Sequence, residues 1–240
     1  MRAFEECGIV FISHHSPLHY LPFIGRSRSL KSKPALRDEG FGLNHFRSLS
    51  SGSDVKRGFE KYAFLTLALS PRIVQAKLKG GFPHITLLIP ISAFERVSFD
   101  FCRYNVAMTR NLRRGDKEGY RESPTNGKYY DEMEIPIARN DAEKAQLLKH
   151  HYPKGTMIEV LVDWALPLPD DTTVVCYHES DLELVEDIRN QLDFPWNTVL
   201  REPGGEYNRK PQYVDKVESF VNTALANPAW RGNGLEFDNV

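Results

Sequence analysis

The sequence lacks the short motifs that mark several large enzyme classes. It contains no Gly-x-Gly-x-x-Gly, no phosphate-binding loop with Gly-Lys-Ser or Gly-Lys-Thr, and no Gly-x-Ser-x-Gly. Dinucleotide-fold redox chemistry, phosphate-loop hydrolysis and acyl transfer from a nucleophile elbow therefore lack their usual marker. The sequence therefore gives no motif that assigns the chain to any of these three enzyme classes.

Long apolar runs and paired cysteines are also scarce. The longest apolar stretches, such as residues 85–91, are too short to span a bilayer, and acidic residues stand near the N-terminus where a secretory signal needs a basic region. The three cysteines, Cys7, Cys102 and Cys176, are odd in number and have no metal-ligand spacing. We therefore expect a cytoplasmic protein with reduced thiols, no membrane segment and no metal.

The net charge of -1 conceals an uneven distribution of charge. Residues 26–37 contain five basic side chains and no acidic one, residues 101–130 contain seven basic and three acidic ones, and residues 158–193 carry ten carboxylates and one Arg. A face that binds a polyanion would therefore come from the first and middle parts of the chain. Tyrosines lie among the basic residues of the middle stretch, as stacking on single strands requires. The alternative for both basic stretches is a solvated loop.

Hydrophobic periodicity predicts strands early in the chain and helices late. Strand patterns cover residues 8–16, 62–69, 85–91, 94–101, 159–163 and 173–177, and helical patterns cover 18–24, 71–78, 141–149, 182–192 and 214–226. Residues 26–54 are polar and rich in Ser and Gly, which predicts mainly loop. This irregular mixture favours an α+β fold. We expect one domain over residues 1–240, with a core at about 8–178 and a helical extension at about 179–240.

Glu159 is the strongest candidate for chemistry. It is a lone carboxylate in the apolar strand-like run 157–162, where losing water costs several kcal/mol unless the carboxylate finds partners or lines a cleft. The alternative is a glutamate on an edge strand that faces solvent. On the strand predicted at 8–16, His14 and Ser16 share one face, which therefore ends in polar groups. For His14 the alternative is a hydrogen-bonded core histidine.

Four short blocks stand in a fixed order along the chain. They are residues 13–24 (Ser-His-His-Ser-Pro-Leu-His-Tyr-Leu-Pro-Phe-Ile) with 30–32, residues 62–73, residues 99–107, and residues 158–167 around Glu159. Together they resemble the blocks His-x-Thr, Asn-Leu-x-x-Ile and Leu-x-Ser, then Tyr-Val-Pro-Phe-Tyr-Phe with Ser-Pro, then Phe-x-Phe-Thr-Asp, then Ala-Glu-Phe-Leu-Val of the DarT-type NAD-dependent nucleic-acid ADP-ribosyltransferase toxins. Departures include Tyr20 in place of Asn, and Leu65 and Thr66 in place of an aromatic pair.

The resemblance implies an ADP-ribosyltransferase fold with small antiparallel sheets flanked by helices, and NAD as co-substrate without a metal. It implies that Glu159 is catalytic, binding the nicotinamide ribose and stabilising positive charge as the glycosidic bond breaks. Arg47 matches the active-site arginine of the family in rough position, and Arg57 is its rival. The cofactor-binding residues that the resemblance implies are His14, Ser16, Tyr62, Phe64 and Leu30.

The resemblance also implies single-stranded DNA or RNA as the acceptor, because a base must be exposed to enter a pocket. Phosphate and base contacts are expected mainly in the segment that leads into Glu159. The residues assigned to them are Arg72, Arg113, Arg114, Lys117, Arg121, Lys128, Tyr129 and Tyr130. A toxin of this kind requires an antitoxin, either a macrodomain hydrolase that removes ADP-ribose or a protein that blocks the active site, in a toxin–antitoxin or phage-defence system.

Two other function classes remain open at this stage. One is an ADP-ribosyltransferase that modifies a protein, with the acidic stretch at 158–193 as a docking face. The other is a basic nucleic-acid-binding module without catalysis, in which His14 and Glu159 are incidental. Dependence of a transfer reaction on both NAD and Glu159 distinguishes the enzyme from the binding module.

Overall fold

The computed structural model describes residues 2–41, 59–67, 71–102, 137–154, 158–203 and 207–231. The helices within these ranges are α1 (Arg2–Glu6), α2 (Leu21–Ser27), α3 (Lys33–Asp38), α4 (Pro71–Leu78), α5 (Asp141–His151), α6 (Glu179–Leu192) and α7 (Pro211–Ala226). The strands are β1 (Phe11–Pro17), β2 (Ser29–Lys31), β3 (Tyr62–Thr66), β4 (His84–Pro90), β5 (Phe99–Cys102), β6 (Ile137–Ala138), β7 (Glu159–Asp163), β8 (Ala165–Pro167), β9 (Thr173–Cys176) and β10 (Asn197–Leu200).

Eight strands form the central sheet, in the order β10-β9-β4-β1-β3-β7-β5-β6, and β2 pairs with β8 in a separate two-stranded sheet. Neighbouring strands are antiparallel except β9 and β10. β1 pairs with β4 along its whole length, whereas its register with β3 consists, within the described residues, of the pair Ser13 and Thr66. The large sheet is therefore two four-stranded halves that, within the described residues, join at the pair Ser13 and Thr66.

One face of the sheet, here called the core face, carries the main hydrophobic core. Ile12 of β1, Leu65 of β3 and Val160 of β7 project from it and pack with buried residues of α6 and α7. Gly25 in α2 lets this helix approach the core closely, since a Cβ there would meet the Phe194 ring at 2.8 Å. The C-terminal helices thus share the core of the sheet.

The opposite face, here called the site face, is formed by the alternate residues of the same strands. Its members include Ser13 and His15 on β1, His84 and Thr86 on β4, Phe64 and Thr66 on β3, and Glu159 and Leu161 on β7. Above β4 and β9 this face is covered by α4, whose Val74 and Leu78 pack with Val175 and Tyr177. The cover by α4 places a helix beside the polar residues of β1 and β4.

A buried ion pair fixes the segment before α7 to the start of α6. Nη2 of Arg209 lies 2.9 Å from Oδ1 of Asp181, which is fully buried, and the Tyr207 hydroxyl lies 3.3 Å from Oδ2. Burial raises the pKa of Asp181 to about 6, although Arg209 and Tyr207 oppose the shift. Desolvation of the carboxylate is therefore large, and the pair is sensitive to loss of its cation.

We expect Arg209→Met to lower the free energy of unfolding by about 3 kcal/mol, because it leaves an uncompensated buried carboxylate. The measurement is a denaturant titration at neutral pH. Arg189→Met is the matched control, since Arg189 and Glu186 form a half-exposed pair on α6, and such pairs contribute less than about 1 kcal/mol. Equal stability losses in the two variants would contradict this interpretation.

The predicted α+β fold is confirmed, and two of the predicted stretches need correction. Residues 26–54 were expected to be mainly loop, but β2 and α3 lie within them. α3 begins there because Ser32 accepts a hydrogen bond from the Ala35 N–H as its N-cap and a proline stands in its first turn. The strand predicted at 94–101 begins only at Phe99, because Ile91–Phe94 forms a 3-10 turn after β4. Residues 42–58 lie outside the described ranges.

None of the helices in the described part of the chain is both long and apolar enough to cross a membrane.

Candidate active site

Glu159 opens β7 in the interior of the sheet. Its Cα partners are Thr66 of β3 and Cys102 of β5, and Thr66 is in turn the partner of Ser13 on β1. Directly opposed residues of antiparallel strands project from the same face, so these four side chains form a row across the site face. Glu159 is 6% exposed. The edge-strand alternative is wrong, because β7 pairs with a strand on each side.

Two hydroxyl groups lie in the same row as Glu159. The Ser13 hydroxyl is 3.1 Å from the Thr66 carbonyl oxygen, to which it donates, and its Oγ is 2.7 Å from Oγ1 of Thr66. Hydroxyl groups both donate and accept, as binding a sugar hydroxyl requires. The sequence analysis missed both residues, because their position beside Glu159 depends on the register of three strands that are distant in sequence.

His14 bridges the two halves of the sheet. Its Nδ1 lies 2.9 Å from the carbonyl oxygen of Phe64 on β3, next to the point where β1 and β3 pair. Burial lowers the pKa of His14 to about 4, although this hydrogen bond opposes the shift. The ring is therefore neutral at neutral pH and donates from Nδ1, so Nε2 keeps a lone pair that accepts a hydrogen bond.

Ser16 and Leu30, also predicted to bind the cofactor, lie away from the row. Ser16 pairs with Ile85 on the core face, is 2% exposed and donates to the carbonyl of Pro17 at 3.2 Å. Leu30 pairs with Leu166 in the two-stranded sheet, and both are buried in the main core. Alternation along β1 puts His14 on the same side as Ser16, so what connects His14 to the site is its hydrogen bond to Phe64 on β3. Neither Ser16 nor Leu30 lies on the site face.

Two histidines on the site face were missed by the sequence analysis. Nδ1 of His15 lies 2.7 Å from Oγ1 of Thr86, which is 2.7 Å from the Tyr177 hydroxyl. Nδ1 of His84 lies 2.9 Å from the carbonyl oxygen of Phe82. Burial lowers the pKa of His15 to about 3 and that of His84 to about 4. Both rings are neutral at neutral pH and add hydrogen-bonding groups to this face.

Lys77 on α4 brings a positive charge to the site face. It follows Val74 by three residues and precedes Leu78, both of which pack toward the sheet, and residues at this spacing share one side of a helix. Burial lowers the pKa of Lys77, whereas attraction to Glu159 opposes the shift. The same ammonium group lowers the pKa of His15 and His84. Lys77 therefore lies within electrostatic range of the groups around Glu159.

Tyr62 and Phe64 lie further along β3 on the site face. Both are half-buried and pack against a small cluster of Phe59, Cys102 and Leu161. Phe64 is the Cα partner of Leu161, two residues from Glu159. Tyr62 is four residues from Thr66, a distance of about 13 Å along a strand. A molecule that contacts both Glu159 and Tyr62 would extend along β3.

The side chains of the remaining predicted site residues lie outside the described part of the structure. Arg47, Arg57 and the nucleic-acid-binding candidates at positions 113–130 lie outside the described residues, and Arg72 lies in α4 but its side chain is outside them as well. In the part of the chain that is described, no group of three or more His, Cys, Asp or Glu side chains is arranged to hold a metal ion.

The site face combines a buried carboxylate, two hydroxyl groups, neutral imidazoles and an ammonium group. A carboxylate held by the sheet stabilises positive charge that develops on a bound molecule without having to reorganise. The hydroxyl groups and the imidazole lone pairs offer acceptors and donors to sugar hydroxyls. The arrangement suits cleavage of a bond at a sugar carbon that becomes cationic in the transition state.

Comparison with known proteins gives matches by structure alone. No protein-family model and no curated protein matches the sequence. The solved structures that match include three, each with probability 1.00, of Thermus sp. 2.9 DarT: in complex with ADP-ribosylated ssDNA, with NAD+ and with carba-NAD+.

Each match spans nearly the whole length of the DarT chain. The ADP-ribosylated ssDNA complex is 14% identical, has a TM-score of 0.56, and the match covers 83% of this chain and 97% of that one. The NAD+ and carba-NAD+ complexes are each 15% identical, have TM-scores of 0.54 and 0.53, and the matches cover 82% of this chain and 98% of those chains. The chain therefore has the fold of the DarT structures.

Proposed function

We propose that the protein is an NAD-dependent mono-ADP-ribosyltransferase that modifies a base of single-stranded DNA. The observation that carries this proposal is the position of Glu159, buried on an interior strand and in register with two hydroxyl groups. In the same fold, the DarT structures hold NAD+ in one case and ADP-ribosylated ssDNA in another. A carboxylate beside sugar-binding groups is what transfer from NAD requires.

In the proposed reaction, Glu159 accepts a hydrogen bond from a hydroxyl of the nicotinamide ribose. The bond between the ribose C1′ and the nicotinamide nitrogen breaks, and nicotinamide leaves with the bonding electrons. The carboxylate stabilises the cationic ribose until a nucleophilic atom of the base bonds to C1′ and releases its proton. Nε2 of His14 and the Ser13 and Thr66 hydroxyls would hold ribose hydroxyls, and Phe64 would offer a ring surface to the cofactor.

Two further assignments complete the proposed site. Arg47, with Arg57 as its rival, would bind the pyrophosphate or act beside the acceptor. The basic and aromatic residues at 113–130 and Arg72 would hold the DNA strand through its phosphates and stacked bases. The shared core of the sheet, α6 and α7 supports one domain over residues 1–240, with a core at about 8–178 and a mainly helical extension at about 179–240 that also contributes β10 to the sheet.

The proposed setting is cytoplasmic, because the proposed reaction consumes NAD, which is an intracellular metabolite. ADP-ribosylation of DNA bases is toxic to the cell that makes the enzyme unless it is reversed or the enzyme is inhibited. We therefore propose an antitoxin partner, either a macrodomain hydrolase or a blocking protein, in a toxin–antitoxin or phage-defence system. Transfer to RNA or to a protein is an alternative outcome for the acceptor. Binding of nucleic acid without chemistry is the alternative to catalysis.

The test is incubation of the purified chain with NAD labelled in its adenine moiety and, in separate reactions, single-stranded DNA, RNA and cell-lysate protein. We expect label on the single-stranded DNA and equal release of nicotinamide. Label on RNA or protein instead would revise the acceptor. Binding of single strands with no nicotinamide release and no label anywhere would leave the binding module as the function.

A further inference from the structure

Lys77 has an unusual environment for a lysine. It lies on the side of α4 that packs on the sheet, between Val74 and Leu78, and is only partly exposed. None of the ion pairs within the described residues includes Lys77. A partly buried ammonium group without a contacting carboxylate loses hydration that nothing within those residues replaces directly. An anion bound beside it would restore that lost interaction.

The neighbours of Lys77 define what kind of group this anion is. Glu159 attracts the ammonium group across the site face. His14, His15 and His84 are also within its electrostatic range, and their lowered pKa values leave them neutral. An anion that approaches this face is repelled by the carboxylate of Glu159. Lys77 is a cation within range to offset that repulsion.

We propose that Lys77 binds a phosphate oxygen of a reacting molecule and so holds that molecule beside Glu159. This inference rests on the proposed function, in which both NAD and DNA bring phosphates to the site. A lysine ammonium is a point charge that suits a phosphate oxygen. The phosphate belongs either to the pyrophosphate of NAD or to the backbone of the acceptor strand. Separate binding measurements with NAD and with an oligonucleotide distinguish these two sources.

The test compares Lys77→Met, Lys77→Arg and a matched control, Lys79→Met. Lys79 is exposed at the end of the same helix, so its removal changes the net charge equally without touching the site face. Binding of NAD and of a single-stranded DNA oligonucleotide is measured by calorimetry in a Glu159→Gln background, where no turnover consumes the ligands. The KM for each substrate and kcat are measured in the chain with Glu159 intact, and thermal unfolding reports the folding of each variant.

We expect Lys77→Met to weaken binding of one ligand, and to raise the KM for the same substrate, by about tenfold or more, as loss of a charged hydrogen bond does. Lys77→Arg should restore part of the affinity because it keeps the charge, and Lys79→Met should bind both ligands as the parent does. An effect on NAD assigns the pyrophosphate, and an effect on the oligonucleotide assigns the DNA backbone.

Two results would overturn the proposal. Folded Lys77→Met that binds both ligands within twofold of the parent would exclude a phosphate contact. A fall in kcat with both affinities unchanged would show that Lys77 acts on Glu159 instead. These results differ from failure of the proposed function, in which the parent chain itself binds no NAD and releases no nicotinamide. That outcome would remove the basis of the Lys77 proposal as well.

Discussion

Glu159→Gln is expected to abolish transfer of ADP-ribose while leaving binding of NAD and single-stranded DNA nearly unchanged. Glutamine keeps the shape and the hydrogen-bonding carbonyl of the side chain but removes the negative charge that stabilises the cationic ribose. Loss of one preorganised group of this kind lowers the rate by about a hundredfold or more. The measurement is the rate of nicotinamide release with saturating NAD and DNA, together with binding of each ligand by calorimetry.

Asp163→Asn is the matched control for this variant. Asp163 ends the same strand on the same face, four residues from Glu159, but it is exposed and lies 3.8 Å from Lys61 in a surface ion pair. This variant loses the same charge from the same strand, so the rate should stay within about twofold if a buried position beside the Ser13 and Thr66 hydroxyl groups is what matters. A Glu159→Gln protein that retained most of the rate, or one that no longer bound NAD, would contradict the electrostatic role.

We expect the free energy of unfolding to fall by about 3 kcal/mol for each pH unit below pH 6.5. The pKa values of His14 and His84 are lowered from 6.5 to about 4, and that of His15 to about 3. Because these pKa values are lower in the folded chain, the unfolded chain takes up protons at a higher pH than the folded chain does. The stability from these three groups is therefore present above pH 6.5 and is lost as the pH falls toward 4.

Among the groups with large pKa shifts, Asp181 opposes this loss. The raised pKa of Asp100 acts in the same direction as that of Asp181, and the lowered pKa of His178 acts against it. The pKa of Asp181 is raised from 3.8 to about 6, so its contribution is present below pH 3.8 and is lost as the pH rises through 6. Each proton of difference changes stability by about 1.4 kcal/mol per pH unit. Three histidines against one aspartate give a net difference of about two protons, hence the expected slope.

Denaturant titrations between pH 7 and pH 5 measure this slope. His84→Gln removes one of the three buried groups and should reduce the slope by about 1.4 kcal/mol per pH unit. His150→Gln is the control, because His150 is exposed at the end of α5, and it should leave the slope unchanged. Constant stability of the parent protein across this range, or equal slopes in both variants, would contradict the claim that buried neutral histidines cause the pH dependence.

The sequence predicted those parts of the site that depend on local pattern. A carboxylate in an apolar strand singled out Glu159 without knowledge of the neighbouring strands. The α+β class and most helices followed from periodicity. α3 was predictable too, because the Ser-Lys-Pro sequence at residues 32–34 combines an N-cap residue with a proline in the first helical turn. It was missed because the surrounding composition favoured loop.

The remaining parts of the site depend on pairing between distant segments. Alternation along β1 predicted that His14 and Ser16 share a face, and it equally placed Ser13 and His15 on the other one. Which of the two faces carries Glu159 is decided by the register of Ser13 with Thr66 and of Thr66 with Glu159. Single-sequence periodicity contains no information on that register. The contribution of Lys77 likewise depends on where α4 packs.

The most direct test of the account is mass spectrometry of a single-stranded DNA oligonucleotide after incubation with the purified chain and NAD, with nicotinamide quantified in the same reaction. The account predicts that the oligonucleotide gains one ADP-ribosyl group for each nicotinamide released, and that Glu159→Gln produces neither product. Unmodified oligonucleotide without nicotinamide release, from a folded protein that binds the strand, would contradict the central claim that this site transfers ADP-ribose.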